Sequence, residues 1–263
     1  MTVVQTPPPP LPVRDTAQPR ALSPMLTRLA EERATGVLVR EHGTLYLAEG
    51  RVVHADSPLA PGLDVLLTAH GTLAATAWQR AAAEASGPLH AAELLLESGL
   101  LPTGALELCH LDALYDAGYF ALAPSSAPGR FRYDRAPRLG PLPSVPVVAL
   151  ERETLRRRLL LHRLWPDPAA DTAPLIRADP VAAAPPTPRQ RAVLDRVDGV
   201  RTATAIARNL GRQAFHTLVD VRRLAAAGQV VPLPTAPAPP PPFPVTDPDI
   251  ALLKRLRDAL EAL

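Results

Sequence analysis

Residues 187–232, TPRQRAVLDRVDGVRTATAIARNLGRQAFHTLVDVRRLAAAGQVVP, spell three short helices closed by a glycine and a strand. Thr187 is an N-cap residue with Pro188 at the first helical position, and Val193, Leu194 and Val197 continue as an apolar stripe. Asp198-Gly199 ends that helix. Thr202 caps a second one carrying Ala205, Ile206 and Leu210, and Gly211 closes it in the left-handed conformation that a residue without a side chain adopts cheaply. A third helix begins near Arg212. Its apolar positions Phe215, Leu218, Val219, Val221, Leu224 and Ala225 face a core, which puts Arg212, Gln213, His216, Asp220 and Arg223 on or near the outer side. Gly228 stops it, and Gln229-Val230-Val231 reads as a strand.

This pattern resembles the winged-helix domains of MarR-like bacterial regulators, in which the third helix enters the major groove of DNA. The resemblance covers under a fifth of the chain. It implies a DNA partner, with Arg212, Gln213 and His216 meeting base edges and Arg201, Arg208, Arg222 and Arg223 contacting phosphates. Residues 186–233 carry eight arginines against three acids, the local excess that phosphate neutralisation requires. Two features oppose DNA: Asp220 sits among the groove residues, and a basic wing hairpin is missing before the proline tract. Winged helices also dock proteins. The segment therefore leaves a transcriptional regulator and a protein-binding adaptor both open.

The whole chain has 263 residues and a net charge of +2, with room for one or two modest domains plus linkers. Its 33 prolines are clustered, and a proline-dense stretch buries too little backbone and apolar surface to fold. Residues 1–20 thus read as a disordered leader and 233–248 as a stiff spacer. No stretch reaches the roughly 20 apolar residues of a membrane span, and the N-terminus lacks a secretory signal, so the expected location is cytoplasmic, without a membrane partner. Cys109 is the single cysteine, which excludes an internal disulfide and a cysteine-based metal cluster.

Residues 21–133 read as the first folded unit. A short helix, Ser23 to Arg33, precedes three β-like runs at 36–40, 44–48 and 51–55, and Glu49-Gly50 is a two-residue turn of the kind that joins antiparallel strands. Helices follow at 62–69, 72–85, 89–97 and 102–117. Tyr119-Phe120-Ala121-Leu122 and Arg130-Phe131-Arg132-Tyr133 then return to strand composition. The order TGVLVREHGTLYLAEGRVVHADS, helices, ALYDAGYFALAPSSAPGRFRYD resembles the PATAN-like domain of bacterial regulatory and motility proteins. That resemblance implies a signalling or protein-interaction module, often joined to a winged helix, and not an enzyme. This unit holds seven arginines against twelve acids, a net of −5, which argues against contact with nucleic acid and suggests that it could cover the basic unit electrostatically.

Between the two units, 134–186 reads as a linker around a basic amphipathic helix, 151–164, expected to pack by its leucines and leave its arginines in water. At the far end, Leu253, Leu256, Leu260 and Leu263 recur at 3, 4, 3 spacing in 249–263, the seam of a helix that needs a surface to lie on. That surface is the chain's own winged helix, a second copy in a homodimer, or another protein.

Few groups offer chemistry. The seven histidines stand apart without metal-ligand spacing, and there is neither a phosphate-binding glycine loop nor a nucleophile elbow. His54 reads as a half-buried strand histidine bonded to backbone, and Cys109 as a small core residue. The sequence thus predicts an α+β chain: a small antiparallel sheet with several helices, then a C-terminal winged helix. It predicts no catalytic set, no metal and no cofactor.

Overall fold

The computed structural model describes residues 22–69, 71–133, 142–178 and 184–233. Helix α1 (Pro24–Glu31) starts at Ser23, whose hydroxyl accepts from the Leu26 amide at 3.3 Å. Strands β1 (Gly36–Arg40), β2 (Gly43–Ala48) and β3 (Arg51–Asp56) then form the meander that the sequence predicts. Its second turn places Glu49 and Gly50 at φ of 50° and 73°, the doubly left-handed geometry whose twist matches antiparallel strands. In β3 the register slips. Tyr46 faces His54 while Leu47 faces Val52, so Val53 is an extra residue and the strand bulges beside His54.

Helices α2 (Leu63–Ala69), α3 (Ala75–Glu84), α4 (Pro88–Glu97) and α5 (Thr103–Ala121) follow. Here one expectation is corrected, because Tyr119-Phe120-Ala121 belongs to α5 and not to a strand. The buried positions Leu106, His110, Ala113, Leu114, Ala117, Phe120 and Ala121 keep helical spacing to the end, and that packing overrides the strand preference of two aromatics. Strand β4 (Arg130–Tyr133) pairs with β1 as anticipated. The expected linker after it supplies β5 (Val145–Pro146) on the other edge, which completes an antiparallel sheet of order β4-β1-β2-β3-β5. An edge position tolerates Pro146 because its missing N–H would face away from the sheet.

Helix α6 (Val147–Leu164) begins four residues before the predicted start and is no solvated spacer. Leu150 and Leu161 are buried while Arg152, Arg156 and Arg163 are exposed, as expected, but Arg157 is buried and Leu159 is 55% exposed, so leucine-in and arginine-out holds for this helix with those two exceptions. Gly118 explains the close approach of α5 and α6: a Cβ there would lie 2.7 Å from Leu150 Cδ1. Helix α7 (Ala169–Thr172) and strand β6 (Leu175–Arg177) also lie in the expected linker.

The last described stretch follows its predicted outline. Helix α8 (Pro188–Leu194) carries a reciprocal cap between Thr187 and Gln190, α9 (Ala203–Leu210) is capped by Thr202 and ends at Gly211 with φ 60°, and α10 (Ala214–Ala226) precedes β7 (Val230–Pro232). The partner of β7 is β6, which comes from upstream of the three helices and not from a hairpin after them. One apolar cluster runs from Leu38 and Leu45 in the sheet through Leu114 and Leu150 to Ile206 and Leu218, so the two halves share a core. A second gathers Val53, Leu67, Leu95 and Leu106 among α2–α5. No helix among the described residues is long and apolar enough to cross a membrane. The leader 1–20, nearly all of the 233–248 spacer, and Leu253, Leu256, Leu260 and Leu263 lie outside the described residues.

Candidate functional site

The start of α10 is where the halves meet. Among the first amides of a helix, those without an i−4 carbonyl need another acceptor. Ala214 and Phe215 find one outside their own segment: their N–H groups donate to the two carboxylate oxygens of Asp116 on α5, at 2.5 and 2.9 Å. Asp116 has no exposed surface. Burial lifts its pKa to about 6, against the pull of the Phe215 and Ala214 amides and of Arg157. The Arg157 guanidinium approaches within 3.8 Å of the carboxylate, donates to the Tyr115 carbonyl at 3.1 Å, and lies 4.6 Å from the Phe215 ring centre. Tyr119 packs on the same ring. One carboxylate and one guanidinium thus pin the first turn of α10 onto α5 and α6.

Beside this junction lies a cleft of about 260 Å³ between α5 and the start of α10, lined by Cys109, Asp112, Arg189, Arg212, Gln213 and His216. Three of the predicted base-reading residues are therefore together, but they face a wall of the same chain. Arg212 has one terminal nitrogen buried without a hydrogen-bond partner. His216 stays at the mouth, its pKa pushed down by partial burial and by Arg189 and Arg157. Burial and nearby Asp112 push the Cys109 thiol up, away from the reactive thiolate.

The predicted phosphate contacts separate. Arg223 is exposed, and Arg201 pairs with Asp198 at 3.2 Å. Arg208 reaches across to the carbonyl of Pro58 in the loop after β3. Arg222 is 4% exposed and inaccessible to a phosphate, since it makes a two-pronged ion pair with Asp171 at 2.7 and 2.6 Å and also bonds the Trp165 carbonyl. Its position was legible, because residue 222 follows Leu218 by four and precedes Ala225 by three on the buried stripe. Asp220, expected on the outer face, is also buried, 3.7 Å from Arg189.

His54 differs from its expectation in its partner. Its Nε2 meets the Asp56 carboxylate at 3.0 Å, and its ring stacks against His110 with centroids 5.7 Å apart. Burial opposes ionisation of Asp56, but hydrogen bonds from His54 and Tyr46 outweigh it and hold this carboxyl below its usual range. His110 has no exposed surface, and burial drives its pKa down to about 4 despite the Val53 and Pro143 carbonyls nearby. Sequence reading overlooked Asp116, Arg157 and His110. The available signal was a charged or imidazole side chain on an otherwise apolar helical stripe, as at 106, 110, 113, 116, 117 and 120.

Comparison of the chain with models of known protein families, with curated proteins and with solved structures gives no match.

Proposed function

We propose that this chain is a non-enzymatic, cytoplasmic regulatory adaptor, a PATAN-like unit joined to a unit of winged-helix type that binds protein partners and not DNA. The observation that carries this reading is the covered first turn of α10. In a groove-reading helix those residues must be free to meet base edges, and here Asp116 and Arg157 hold them against α5 and α6. Withdrawal of Arg222 into its pair with Asp171 removes one phosphate contact more. The ribbon supplies a surface suited to protein docking. Ile176 pairs with Val231, Gly199 bonds the Leu175 carbonyl beside them, and Val200 is 77% exposed in that adjoining stretch.

A second reading, a DNA-binding regulator of MarR-like type held shut by the junction, draws on the exposed Arg189, Arg191, Arg196 and Arg223. One assay separates the two: a mobility shift of the full chain and its Asp116→Ala variant, which leaves the Ala214 and Phe215 amides without their acceptor, on duplex DNA across a salt series. The adaptor reading expects no retardation by either protein. Retardation by either one, weakening steeply with salt, overturns it.

A further inference from the structure

Strand β4 is an edge of the five-stranded sheet and pairs with β1 alone among the described strands. Every second residue of an edge strand turns its N–H and C=O away from the sheet, a row of donors and acceptors that another extended chain can complete. The register with β1 fixes which side chains flank that row. Arg130 and Arg132 stand beside Val39 and Val37, on the face opposite Leu38; both arginines are exposed, and Val39 is 44% exposed. Phe131 and Tyr133 share the face of Leu38. Gly36, opposite Tyr133, has no side chain, so the Phe131 ring lies over it, where a Cβ would come within 2.8 Å of Phe131 Cζ. Phe131 meets the Tyr133 ring edge-on at 4.9 Å, and Tyr133 is still 73% exposed.

Charge singles out this edge. Residues 122–141 hold four arginines and one acid, a net of +3, although residues 21–133 as a whole are net −5. Glu32, which accepts from the Tyr133 hydroxyl at 3.5 Å, is already paired with Arg28 and does not offset these arginines. We infer that β4 docks an extended acidic segment of a partner protein as a further strand of the sheet. Its acids lie beside Arg130 and Arg132, and the apolar residue between them covers Phe131 and Tyr133. Main-chain bonds supply the affinity of such an addition, and the alternation of side chains supplies its specificity. A second copy of β4 suits the edge poorly, because arginines would oppose arginines across the seam. Nucleic acid lacks the alternating main-chain donors and acceptors that the edge presents. The inference rests on the adaptor reading for its protein partner, but it uses an edge remote in sequence from the β6–β7 ribbon and is tested without DNA, so the two can fail separately.

The test is a fluorescence-anisotropy titration of the full chain into a short labelled peptide in which glutamate and valine alternate. Beside it run a peptide of the same composition with its acids grouped at one end, one with lysine for glutamate, and the alternating peptide with its backbone amides N-methylated, which keeps the charge and blocks the ladder. Saturable binding of the alternating peptide is expected with a Kd below about 1 mM, and each control should bind about tenfold more weakly or worse. The double variant Arg130→Glu, Arg132→Glu, altered only at exposed positions, should weaken it by at least about tenfold with an unchanged circular dichroism spectrum. Amide chemical shifts should move at residues 36–39 and 130–133 and little elsewhere. No saturable binding up to about 1 mM would show that the arginines only keep other strands away. Equal binding of the N-methylated or grouped-acid peptide would reduce the contact to charge alone. Either result, unchanged affinity in the double variant, shifts centred on residues 175–177 and 230–232, or self-association through the β4 amides without peptide would overturn the assignment.

Discussion

Replacing Asp116 by asparagine keeps a side chain of the same shape and one oxygen for the α10 amides, but removes the charge. In the folded chain burial raises the Asp116 pKa from 3.8 to about 6, a preference for the protonated form worth about 3 kcal/mol in total. For a carboxyl whose folded pKa is raised, the stabilisation is complete below the unfolded value and is lost as pH rises through the folded one. Between pH 4.5 and 7.5 the wild type should therefore lose about 2 kcal/mol of stability relative to Asp116→Asn. Titrating groups remote from Asp116 change alike in both proteins and cancel in the difference, whereas Asp112, whose charge helps to raise the Asp116 pKa, shares in it, so the difference belongs to the Asp112–Asp116 pair. Urea unfolding at the two pH values, followed by the fluorescence of Trp78 and Trp165, measures it. A gap that stays constant, or one that moves in favour of the wild type as pH rises, would mean that the amides and Arg157 outweigh burial, and the reasoning fails.

Three further perturbations probe other contacts. Arg222→Ala strands the Asp171 carboxylate and the Trp165 carbonyl and should cost about 3–5 kcal/mol, whereas the double variant with Asp171→Ala should recover part of it in a thermodynamic cycle. Gly211→Val forces a β-branched residue to φ 60° and drives its Cβ into that of Ala69, so a loss of about 3 kcal/mol and a lower melting temperature are expected; a change within about 0.5 kcal/mol would contradict the close packing of α9 on α2. His110→Leu removes an imidazole whose depressed pKa, about 4, gives stability above the unfolded value of 6.5 that is lost as pH falls through 4. The acid-unfolding midpoint, followed by circular dichroism, should move to lower pH, and an unmoved midpoint would show that His110 has no part in acid sensitivity.

Much of the local architecture was readable from residue types. Ser23, Thr187 and Thr202 cap helices because a short hydroxyl side chain satisfies orphan amides wherever it stands. Gly211 and the Glu49-Gly50 turn follow from the left-handed φ that each position requires. The candidate site was legible only in part. Arg212, Gln213 and His216 were picked out and do share one cleft, but the wall facing them comes from α5, about a hundred residues earlier. His54 was noticed, and its partner Asp56 stands only two residues away, yet the bulge at Val53 that accompanies their arrangement has no sequence signature of its own.

By itself the sequence determined the helices, the meander, the turns and the opposite charge of the two units, since caps, glycine geometry and apolar period act over a few residues. Only the tertiary structure decided that 142–178 packs as β5, α6, α7 and β6, that β7 finds its partner upstream, and that the first turn of α10 is closed by Asp116. Those outcomes depend on which buried polar groups meet across the shared core. Over a separation of 98 residues between Asp116 and Ala214, burial and hydrogen-bond satisfaction select the contact, and no local propensity encodes it.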